Sequence, residues 1–327
     1  MKETHVSILG LGASLPPKIV TNFDLEKLVD TSDEWIQSRT GIKERRIAEK
    51  GVAASDLGAQ ASLQALKNAG LKAADMDLII VATVTPDMTF PSTGCLVQKK
   101  IGATCPAFDI SAACTGFVFA LSVAESYIKA GIYQNILVVG SEITSTFINW
   151  KDRSTCVLFG DGAGAAVVGP SSQGHQVLAC YLGSDGNQAD ILKIPAGGSA
   201  LPLTKEVIAE GLQYLKMEGS EVFKVAIRTM DDAIHRICKI AHIEVDQIDC
   251  LIPHQANMRI LTALAERIQI PIEKVFVNVN KYGNMSAAST IVALYEAAES
   301  KTIKKNQNVV LVAFGGGLTW GSAAIRW

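Results

Sequence analysis

The chain has 327 residues, of which 30 are Lys or Arg and 32 are Asp or Glu, so its formal net charge is −2. Hydrophobic residues make up 48% and charged residues 19%, which excludes intrinsic disorder, since disorder requires low hydrophobicity and high net charge. The balanced charge argues against nucleic-acid binding, which needs a basic excess. Mean hydropathy is +0.24, but no run approaches the roughly 18 apolar residues of a membrane-spanning helix. We therefore expect a large covered core, no nucleic-acid partner and no membrane insertion.

The length and the cysteine content of the chain limit the domain organisation and the cellular compartment that we expect. A chain of 327 residues usually forms two domains, or one domain built twice. The first residues run directly into a strand-like segment, without the charged-then-apolar pattern of an export signal. The seven cysteines are scattered without a Cys-x-x-Cys pair, so we expect neither a disulfide framework nor a zinc site. A reducing cytoplasm is the expected location.

Short apolar runs typical of buried strands alternate with helical patterns along the chain. The first half predicts strands at residues 6–11, 78–84, 107–110, 136–140 and 163–168, and helices at residues 55–69 and 116–129. Continuous apolar strands are typical of sheets that are covered on both faces. The alternation therefore indicates an α/β fold in which helices cover the sheets.

The second half repeats the first half in outline. The pairs of similar segments are DLIIVAT from residue 77 with DCLIPH from residue 249, SAACTGF from 111 with GNMSAAS from 283, and FGDGAGAA from 159 with FGGGLTWG from 314. A repeat on this scale predicts duplication, with halves at residues 1–170 and 171–327 packed about a pseudo-twofold axis. The competing interpretation is that any two α/β halves look alike. Residues 171–220 have no counterpart that we can align, and we interpret them as a connecting insertion with loops.

Cys114 lies between a predicted strand and a predicted helix, in a turn of small residues. A thiol at a helix N-terminus feels the positive end of the helix dipole, which lowers its pKa. The same turn directs backbone N–H groups toward whatever the sulfur attacks. Most buried cysteines are inert packing residues, and the other six are interpreted in that way. The strand–turn–helix context makes Cys114 the candidate nucleophile.

Two further polar residues occupy related positions in the second half. His254 follows a predicted strand, at the end where open α/β sheets place their sites. Asn284 lies in the turn that corresponds to the Cys114 turn. Taken singly, His254 is equally well explained as a helix cap and Asn284 as a turn former. Their positions in the repeat, together with Cys114, favour one shared catalytic site.

The glycine-rich segments do not match nucleotide-binding motifs. GLGASL from residue 10 lacks the third glycine of a dinucleotide loop, and two prolines follow where a helix should begin. The segments at residues 160–164 and 315–317 lack the Lys-Ser/Thr of a phosphate-binding loop, and we interpret both as tight hairpins where backbones approach closely. The remaining histidines have no ligand spacing. We therefore expect no metal site.

The chain resembles the β-ketoacyl-acyl carrier protein synthase III family of the thiolase-like superfamily. The matching segments, which occur in the family's order, are TSDEWIQSRTGI (31–42), AACTG (112–116), FGDGAG (159–164), PHQAN (253–257), GN (283–284) and FGGGLTWGS (314–322). The resemblance implies an α/β, thiolase-like duplicated αβαβα five-layered fold that forms a homodimer. It implies initiation of type II fatty acid synthesis, by condensation of a short acyl-CoA primer such as acetyl-CoA with malonyl-acyl carrier protein.

The resemblance assigns the family's catalytic triad to Cys114, His254 and Asn284. Cys114 would attack the thioester of the primer, and the backbone N–H groups of Cys114 and Gly316 would hold the developing oxyanion. Hydrogen bonds from His254 and Asn284 would offset the negative charge that builds up when the malonyl thioester loses carbon dioxide. No metal or redox cofactor is implied, and acyl-CoA is a substrate.

The binding residues come from the same resemblance. It assigns coenzyme A binding to Trp35, Arg39, Arg153 and Asn257, with the adenine between Trp35 and Arg153. The acyl pocket would involve Phe159 and also Phe90, which would reach into the partner subunit and limit the pocket depth. For Trp35 and Arg39 the competing interpretation is an amphipathic surface helix. The acidic carrier protein would dock on a local basic patch formed by Lys224, Arg228 and Arg259.

Two residues depart from the pattern expected of the family. Met285 stands where threonine commonly follows the triad asparagine, and Thr115 stands where alanine often follows the cysteine. Neither change removes a nucleophile or a donor, but Met285 is expected to reshape the wall beside Asn284. Two rival functions remain: a relative that condenses longer or branched acyl groups, and a non-catalytic subunit that binds acyl-CoA or carrier protein.

Overall fold

A computed structural model describes residues 4–171 and 174–327. These residues form thirteen strands: β1 (Val6–Ser14), β2 (Ile19–Thr21), β3 (Glu44–Arg46), β4 (Leu78–Ala82), β5 (Ala107–Ile110), β6 (Ile136–Glu142), β7 (Gly162–Pro170), β8 (His175–Ser184), β9 (Leu192–Lys193), β10 (Lys216–Met217), β11 (Cys250–Pro253), β12 (Asn308–Gly315) and β13 (Thr319–Arg326). Nine of them are joined in the order β11-β12-β13-β8-β1-β7-β6-β4-β5, while β2 pairs with β3 and β9 with β10.

The longer helices lie in three layers around the strands of the large sheet. The helices are α1 (Asn22–Leu25), α2 (Asp33–Thr40), α3 (Ala54–Ala69), α4 (Thr93–Ile101), α5 (Gly116–Lys129), α6 (Arg153–Cys156), α7 (Lys205–Ala209), α8 (Gly219–Ile240), α9 (Met258–Arg267), α10 (Val279–Tyr282) and α11 (Ala288–Glu299). The pair α3 and α4 packs on strands of the first half, and α8 packs with α9 on the second. Helices α5 and α11 each contact strands of both halves, which gives the five-layered αβαβα arrangement.

The strand order confirms the duplication. In the first half, β4 is parallel to β5 and β6, and then β6, β7 and β1 pair antiparallel in that order. In the second half, β11 is parallel to β12, and β12, β13 and β8 pair antiparallel in the same way. A single parallel bridge between Leu251 and Val275 takes the place of β5. The two halves meet where β1 pairs with β8, and the boundary at residue 170 stays an interpretation.

Close packing between α3 and β1 explains the first glycine-rich segment. A Cβ added at Gly10 would lie 2.4 Å from the Ala65 carbonyl oxygen, and one at Gly12 would lie 2.2 Å from the Ala61 carbonyl oxygen. Side chains at these positions would therefore push the helix off the strand. The segment lies inside β1, so its glycines serve packing of the fold rather than a dinucleotide.

Two sequence predictions about connections are corrected by the structure. The glycines at 315–317 do form the turn between β12 and β13, but residues 160–164 form no hairpin: residues 143–161 separate β6 from β7. The backbone does approach closely there, since a Cβ at Gly160 would lie 2.2 Å from the Tyr282 carbonyl oxygen. The supposed insertion at 171–220 contains β8, the counterpart of β1, so only the part after Ser184 lacks a counterpart. Residues 172 and 173 of that segment, and 1–3 at the N-terminus, lie outside the described part.

No helix within residues 4–171 and 174–327 combines the length and apolar character needed to cross a bilayer.

Candidate active site

Cys114 lies in a 3-10 turn, Ala113–Thr115, that leads directly into α5. Ala113 has φ 46°, a left-handed conformation that L-residues rarely adopt outside constrained sites. Thr115 anchors the turn: its hydroxyl donates to the Ala112 carbonyl at 2.5 Å and shares a hydrogen bond with the Thr319 hydroxyl at 2.8 Å. The turn therefore holds the sulfur at the N-terminal end of a fourteen-residue helix.

The end of β12 runs directly beside this turn. A Cβ added at Gly315 would lie 2.7 Å from the backbone nitrogen of Cys114, so only glycine permits the approach. Gly316 follows, lines the same cavity as Cys114, and its carbonyl accepts from the Thr319 hydroxyl at 3.1 Å. The backbone of the β12–β13 turn is thus brought next to Cys114.

His254 directly follows β11, and its side chain is buried. Its backbone N–H donates to the Val312 carbonyl at 2.7 Å, which fixes the residue at the end of the strand. Burial lowers the pKa of the imidazole to about 4, so the ring is neutral at neutral pH. Its Nδ1 is buried and has no hydrogen-bond partner in the described structure.

The Asn284 amide has an orientation set by its own turn. The backbone N–H of Asn284 donates to the Leu158 carbonyl at 2.8 Å, and its carbonyl accepts from Gly160 N–H at 3.0 Å. The side-chain Oδ1 accepts from the backbone N–H of Ser286 at 2.8 Å. Because Oδ1 is engaged in this way, the Nδ2 group is the end of the amide that is left to donate. Asn284 is therefore built as a hydrogen-bond donor.

These residues line one cavity of about 870 Å³. Cys114, His254, Asn284 and Gly316 all contribute to its wall, as do many apolar side chains. The structure thus brings together residues that lie up to about 200 positions apart in the sequence. A deep, mostly apolar cavity with a few convergent polar groups is the usual form of a small-molecule site. Among the described residues, no group of three or more His, Cys, Asp or Glu is arranged to hold a metal ion.

The prediction that the helix N-terminus lowers the pKa of Cys114 is wrong for the free protein. Burial raises the pKa of the Cys114 thiol to about 12, and the negative charge of Glu142 adds to the rise. A hydrogen bond from Ser286 acts in the opposite direction. Burial thus disfavours the charged form of both groups, the Cys114 thiolate and the His254 imidazolium.

Trp35 contacts two guanidinium groups, of which that of Arg39 lines the cavity and that of Arg153 does not. Trp35 and Arg39 are on α2 and line the cavity wall, and Arg39 Cζ lies 5.8 Å from the Trp35 ring centroid. Arg153 begins α6, and its Cζ lies 5.1 Å from the same centroid. Its guanidinium donates to the Asp30 carbonyl at 2.8 Å. The predicted stacking pair is thus assembled, at a spacing too small for an inserted aromatic base until the side chains move apart.

The other predicted binding residues divide into two groups. Phe159 lines the cavity and packs edge-to-face on Phe147, with ring centroids 5.9 Å apart. Asn257 also lines the cavity, and its side chain caps α9 by accepting from Ile260 N–H at 3.0 Å. Phe90, by contrast, is absent from this wall and is 83% exposed on the surface of the chain.

The predicted basic patch is only partly assembled at the cavity. Lys224 on α8 and Arg259 on α9 line the wall, whereas Arg228 lies one turn beyond Lys224 and does not. Lys224 pairs with Glu221 at 2.8 Å, and Arg259 Cζ lies 5.7 Å from the Phe223 ring centroid. A further cation, Lys193 on β9, lines the same cavity and was missed by the sequence analysis.

Met285 does not reshape the cavity wall, contrary to the expectation from its position. Its side chain is fully buried in a small cluster with Tyr282, Ala288 and Val292, and it is not among the described residues that line the cavity. A Cβ at Gly162 would lie 2.6 Å from its sulfur. The methionine therefore fills space behind the Asn284 turn.

Two site residues, Ser286 and Glu142, were missed by the sequence analysis. Ser286 lines the cavity next to Cys114, and its hydroxyl donates to Glu142 Oε1 at 2.9 Å. Glu142 ends β6 and is fully buried. The one signal in the sequence is a carboxylate at the end of an otherwise apolar strand, since a buried Glu requires partners.

Comparisons with known proteins agree with this geometry. Residues 108–186 match the family model for 3-oxoacyl-[acyl-carrier-protein (ACP)] synthase III, and residues 238–327 match the model for its C-terminal part. A β-ketoacyl-[acyl-carrier-protein] synthase III of Caldanaerobacter subterraneus subsp. tengcongensis is 54% identical over 100% of this chain and 99% of the relative. One from Clostridioides difficile is 52% identical over 99% of each chain.

Solved structures show the same likeness. The crystal structure of 3-oxoacyl-[acyl-carrier-protein] synthase III from Aquifex aeolicus VF5 superposes with a TM-score of 0.91 at 47% identity, covering 98% of this chain and 100% of that one. The thiolase-like fold and the cavity around Cys114 thus define an acyltransferase of the condensing-enzyme class. At full-length identities above 50%, the chain belongs to the β-ketoacyl-[acyl-carrier-protein] synthase III family of fatty acid biosynthesis.

Proposed function

We propose that the chain catalyses the decarboxylative condensation of a short acyl-CoA, most simply acetyl-CoA, with malonyl-acyl carrier protein, and so initiates type II fatty acid synthesis. The observation that carries this proposal is the presence of Cys114, His254 and Asn284 on the wall of one cavity. A thiol nucleophile accompanied by two neutral donors suits acyl transfer followed by stabilisation of an enolate. A non-catalytic binding subunit would not need all three residues.

In the first half-reaction, Cys114 Sγ attacks the carbonyl carbon of the acyl-CoA thioester. The bond from Sγ to this carbon forms, the bond from the carbon to the CoA sulfur breaks, and CoA leaves as the thiol after it receives the Cys114 proton. Backbone N–H groups of Cys114 and Gly316 would hold the oxyanion of the tetrahedral intermediate. The close approach of Gly315 to Cys114 supports this arrangement.

In the second half-reaction, malonyl-acyl carrier protein loses carbon dioxide and its thioester oxygen gains negative charge. The Nδ2 group of Asn284 is oriented to donate to this oxygen, because Oδ1 is held by Ser286 N–H at 2.8 Å. Neutral His254 supplies the second donor. The enolate carbon then attacks the acyl-Cys114 carbonyl and expels the thiolate, giving 3-oxoacyl-acyl carrier protein. Loss of carbon dioxide supplies the carbanion, so we propose that no metal or redox cofactor takes part.

The cavity mouth has the chemistry to bind coenzyme A. The adenine would stack between Trp35 and Arg153, whose contact at 5.1 Å must open to admit it. Arg39 and Lys193 would meet the phosphates, and the Nδ2 group of Asn257 would meet the pantetheine arm, since its Oδ1 caps α9. The exposed positions of Lys224, Arg228 and Arg259 would serve the acidic carrier protein.

Assembly and primer choice follow from the same proposal. We propose a homodimer in which Phe90, 83% exposed on one chain, enters the acyl pocket of the other and limits its depth beside Phe159. The second candidate is a relative that takes longer or branched primers, which the apolar cavity walls favour. The seven cysteines are all unpaired, which supports the proposed cytoplasmic location.

The proposal is tested by incubating the protein with a panel of acyl-CoAs and measuring intact mass. The expected result is one acyl group per chain, mapped by peptide analysis to Cys114, with acetyl-CoA among the fast donors. Addition of malonyl-acyl carrier protein should discharge the label and produce 3-oxoacyl-acyl carrier protein. Labelling of another residue, or no discharge, would refute the proposed reaction. Preferential labelling by longer or branched acyl groups would establish the second candidate.

A further inference from the structure

Two threonine hydroxyls meet between the Cys114 turn (residues 112–115) and the β12–β13 turn (residues 316–318). Thr115 is fully buried and follows Cys114, while Thr319 begins β13 and pairs with Gly315 across the hairpin. The two hydroxyl oxygens lie 2.8 Å apart. Among the described residues, no backbone hydrogen bond joins residues 112–115 to residues 315–319. The hydroxyls therefore supply the hydrogen-bonded link between the two turns.

Counting protons gives the direction of this link. The Thr115 hydroxyl donates to the Ala112 carbonyl at 2.5 Å, so its single proton is used there and its oxygen is left to accept. Thr319 has three acceptors within reach, which are Thr115 Oγ1 at 2.8 Å, the Gly316 carbonyl at 3.1 Å and the Ala112 carbonyl at 3.2 Å. The nearest of them is Thr115. The chain of hydrogen bonds therefore runs from Thr319 through Thr115 to Ala112.

The Ala112 carbonyl, where this chain of bonds ends, belongs to the peptide unit that precedes the strained residue of the turn. Ala113 has φ 46°, a conformation that persists only where its surroundings hold it. The backbone N–H of Thr115 donates to the same carbonyl at 3.1 Å. These bonds fix the plane of that peptide unit and, with it, the start of the next unit, which carries the Cys114 N–H.

The β12–β13 turn is held on its other side by the backbone. Leu318 exchanges two hydrogen bonds with Asp185, which follows β8, at 3.0 and 2.9 Å. A Cβ added at Gly316 would lie 3.7 Å from the Ala113 Cβ, so the two turns are in close contact. A shift of either turn would therefore change the distance between the backbones of Cys114 and Gly316.

We propose that Thr115 and Thr319 are positioning residues that set the spacing between the backbone N–H groups of Cys114 and Gly316. This inference rests on the proposed function, in which these two N–H groups hold the oxyanion. Each donor must lie about 2.7–3.1 Å from the oxyanion, so a shift of about half an ångström would weaken one of the two hydrogen bonds. The alanine common in the family at position 115 would leave Thr319 without its nearest acceptor.

The competing role for Thr115 is purely local. A threonine in the first turn of a helix commonly bonds to a carbonyl three or four residues before it, and the bond to Ala112 has this form. A local role does not account for the contact with Thr319, which is 204 positions away in the sequence. It also predicts that the Thr319 hydroxyl has no influence on the reaction.

The test measures single-turnover acylation of Cys114 at a saturating concentration of the acyl-CoA that labels the wild type fastest. Thr319→Val keeps the shape of the side chain and should lower the acylation rate constant about tenfold, because all three hydroxyl contacts are lost. Thr115→Val should lower it about threefold, because Thr319 can still donate to the Ala112 carbonyl at 3.2 Å. The double variant should be no slower than Thr319→Val, since both changes break the same link.

Two further variants keep the hydroxyl and act as the rescue. Thr115→Ser and Thr319→Ser should stay within about twofold of the wild-type acylation rate, because serine has the same donor and acceptor. The matched control is Thr229→Val on α8. The Thr229 hydroxyl donates to the Val225 carbonyl at 2.7 Å, and the residue is not among the described residues on the cavity wall. This control should leave acylation unchanged.

Alkylation of Cys114 by iodoacetamide, located by peptide mapping, separates an effect on the oxyanion from a general loosening of the turn. This reaction displaces iodide at a saturated carbon and forms no oxyanion. All the variants should therefore be alkylated at the wild-type rate. A displaced or more mobile sulfur would instead change the rates of alkylation and acylation together.

Three results would overturn the inference: wild-type acylation in both valine variants, a parallel change of acylation and alkylation, or a double variant slowed by the product of the single effects. If Thr319→Val does not fold, Thr115→Val must still slow acylation and Thr115→Ser must restore it. Failure of the proposed function gives a different result, because the wild type would then show no acyl labelling while iodoacetamide still alkylated Cys114.

Discussion

The turns that precede the two central helices have similar backbones and different chemistry. Before α5, Ala113 adopts φ 46° and is followed by Cys114; before α11, Ser286 adopts φ 47° and lies two residues after Asn284. In each half the strained residue stands where the chain turns into a helix. The duplicated fold thus supplies one turn twice with different side chains: the first turn carries Cys114, the proposed nucleophile, and the second carries Asn284, one of the two proposed donors.

The largest expected effect comes from removing the nucleophile of the first turn. Cys114→Ala should lower acyl transfer from acetyl-CoA by at least about 10⁴-fold, because the proposed acyl-enzyme forms on the sulfur that this change removes. Stopped-flow release of CoA and intact mass measure this. Cys95→Ala, a half-buried cysteine away from the cavity, is the control and should retain wild-type rates. Undiminished acyl labelling of Cys114→Ala would contradict the proposal that the first turn carries the nucleophile.

Removing either proposed donor, Asn284 of the second turn or His254 after β11, should affect only the second half-reaction. Asn284→Ala, and likewise His254→Ala, should lower condensation with malonyl-acyl carrier protein by about 10²- to 10³-fold, the usual effect of losing one donor to a developing oxyanion. Acylation of Cys114 should stay within a few-fold of the wild-type rate. The two steps are separated by single-turnover assays. Equal losses in both steps would show that the two turns do not divide the chemistry.

The contact between Gly315 and the first turn permits a sharper test with a neighbouring control. Gly315→Ala places a Cβ 2.7 Å from the Cys114 nitrogen, so the backbone must shift. Acylation should fall about tenfold, with a loss of stability of about 1–3 kcal/mol. Gly316→Ala keeps its N–H, and its Cβ would lie no closer than 3.3 Å from the Leu192 carbonyl oxygen. Gly316→Ala should therefore lose less acylation rate and less stability than Gly315→Ala. A larger loss in Gly316→Ala than in Gly315→Ala would contradict the geometry.

The smallest effect concerns the strained residue itself. Ala113→Gly should increase the free energy of unfolding by about 0.5–1 kcal/mol, because glycine adopts φ 46° without the steric cost that alanine has there. Ala112→Gly is the control, since Ala112 has φ −140° and gains nothing from glycine. Denaturant unfolding measures both. A stabilised Ala112→Gly, or a destabilised Ala113→Gly, would show that the turn is not strained.

The sequence analysis located the three main site residues because each follows a predicted strand or occupies a small-residue turn. It identified Trp35 and Arg153 only through the family resemblance, since 118 positions separate them and neither has a local signal. It missed Glu142, Ser286 and Lys193, which are ordinary residues in their local context. Their roles depend on neighbours from distant segments, such as Thr85 and Glu142 at 2.6 Å.

The sequence by itself determined the periodic apolar strands, the glycines that allow close packing, and the repeat that joins two halves. These features follow from local chemistry, because strand burial and turn formation depend on a few neighbouring residues. Only the tertiary structure decided the direction in which the pKa of Cys114 is shifted. The pKa of Cys114 depends on burial, on Glu142 and on Ser286, which come from three segments. A dipole argument made from the sequence alone predicted the opposite direction, because desolvation arises only when those segments pack together.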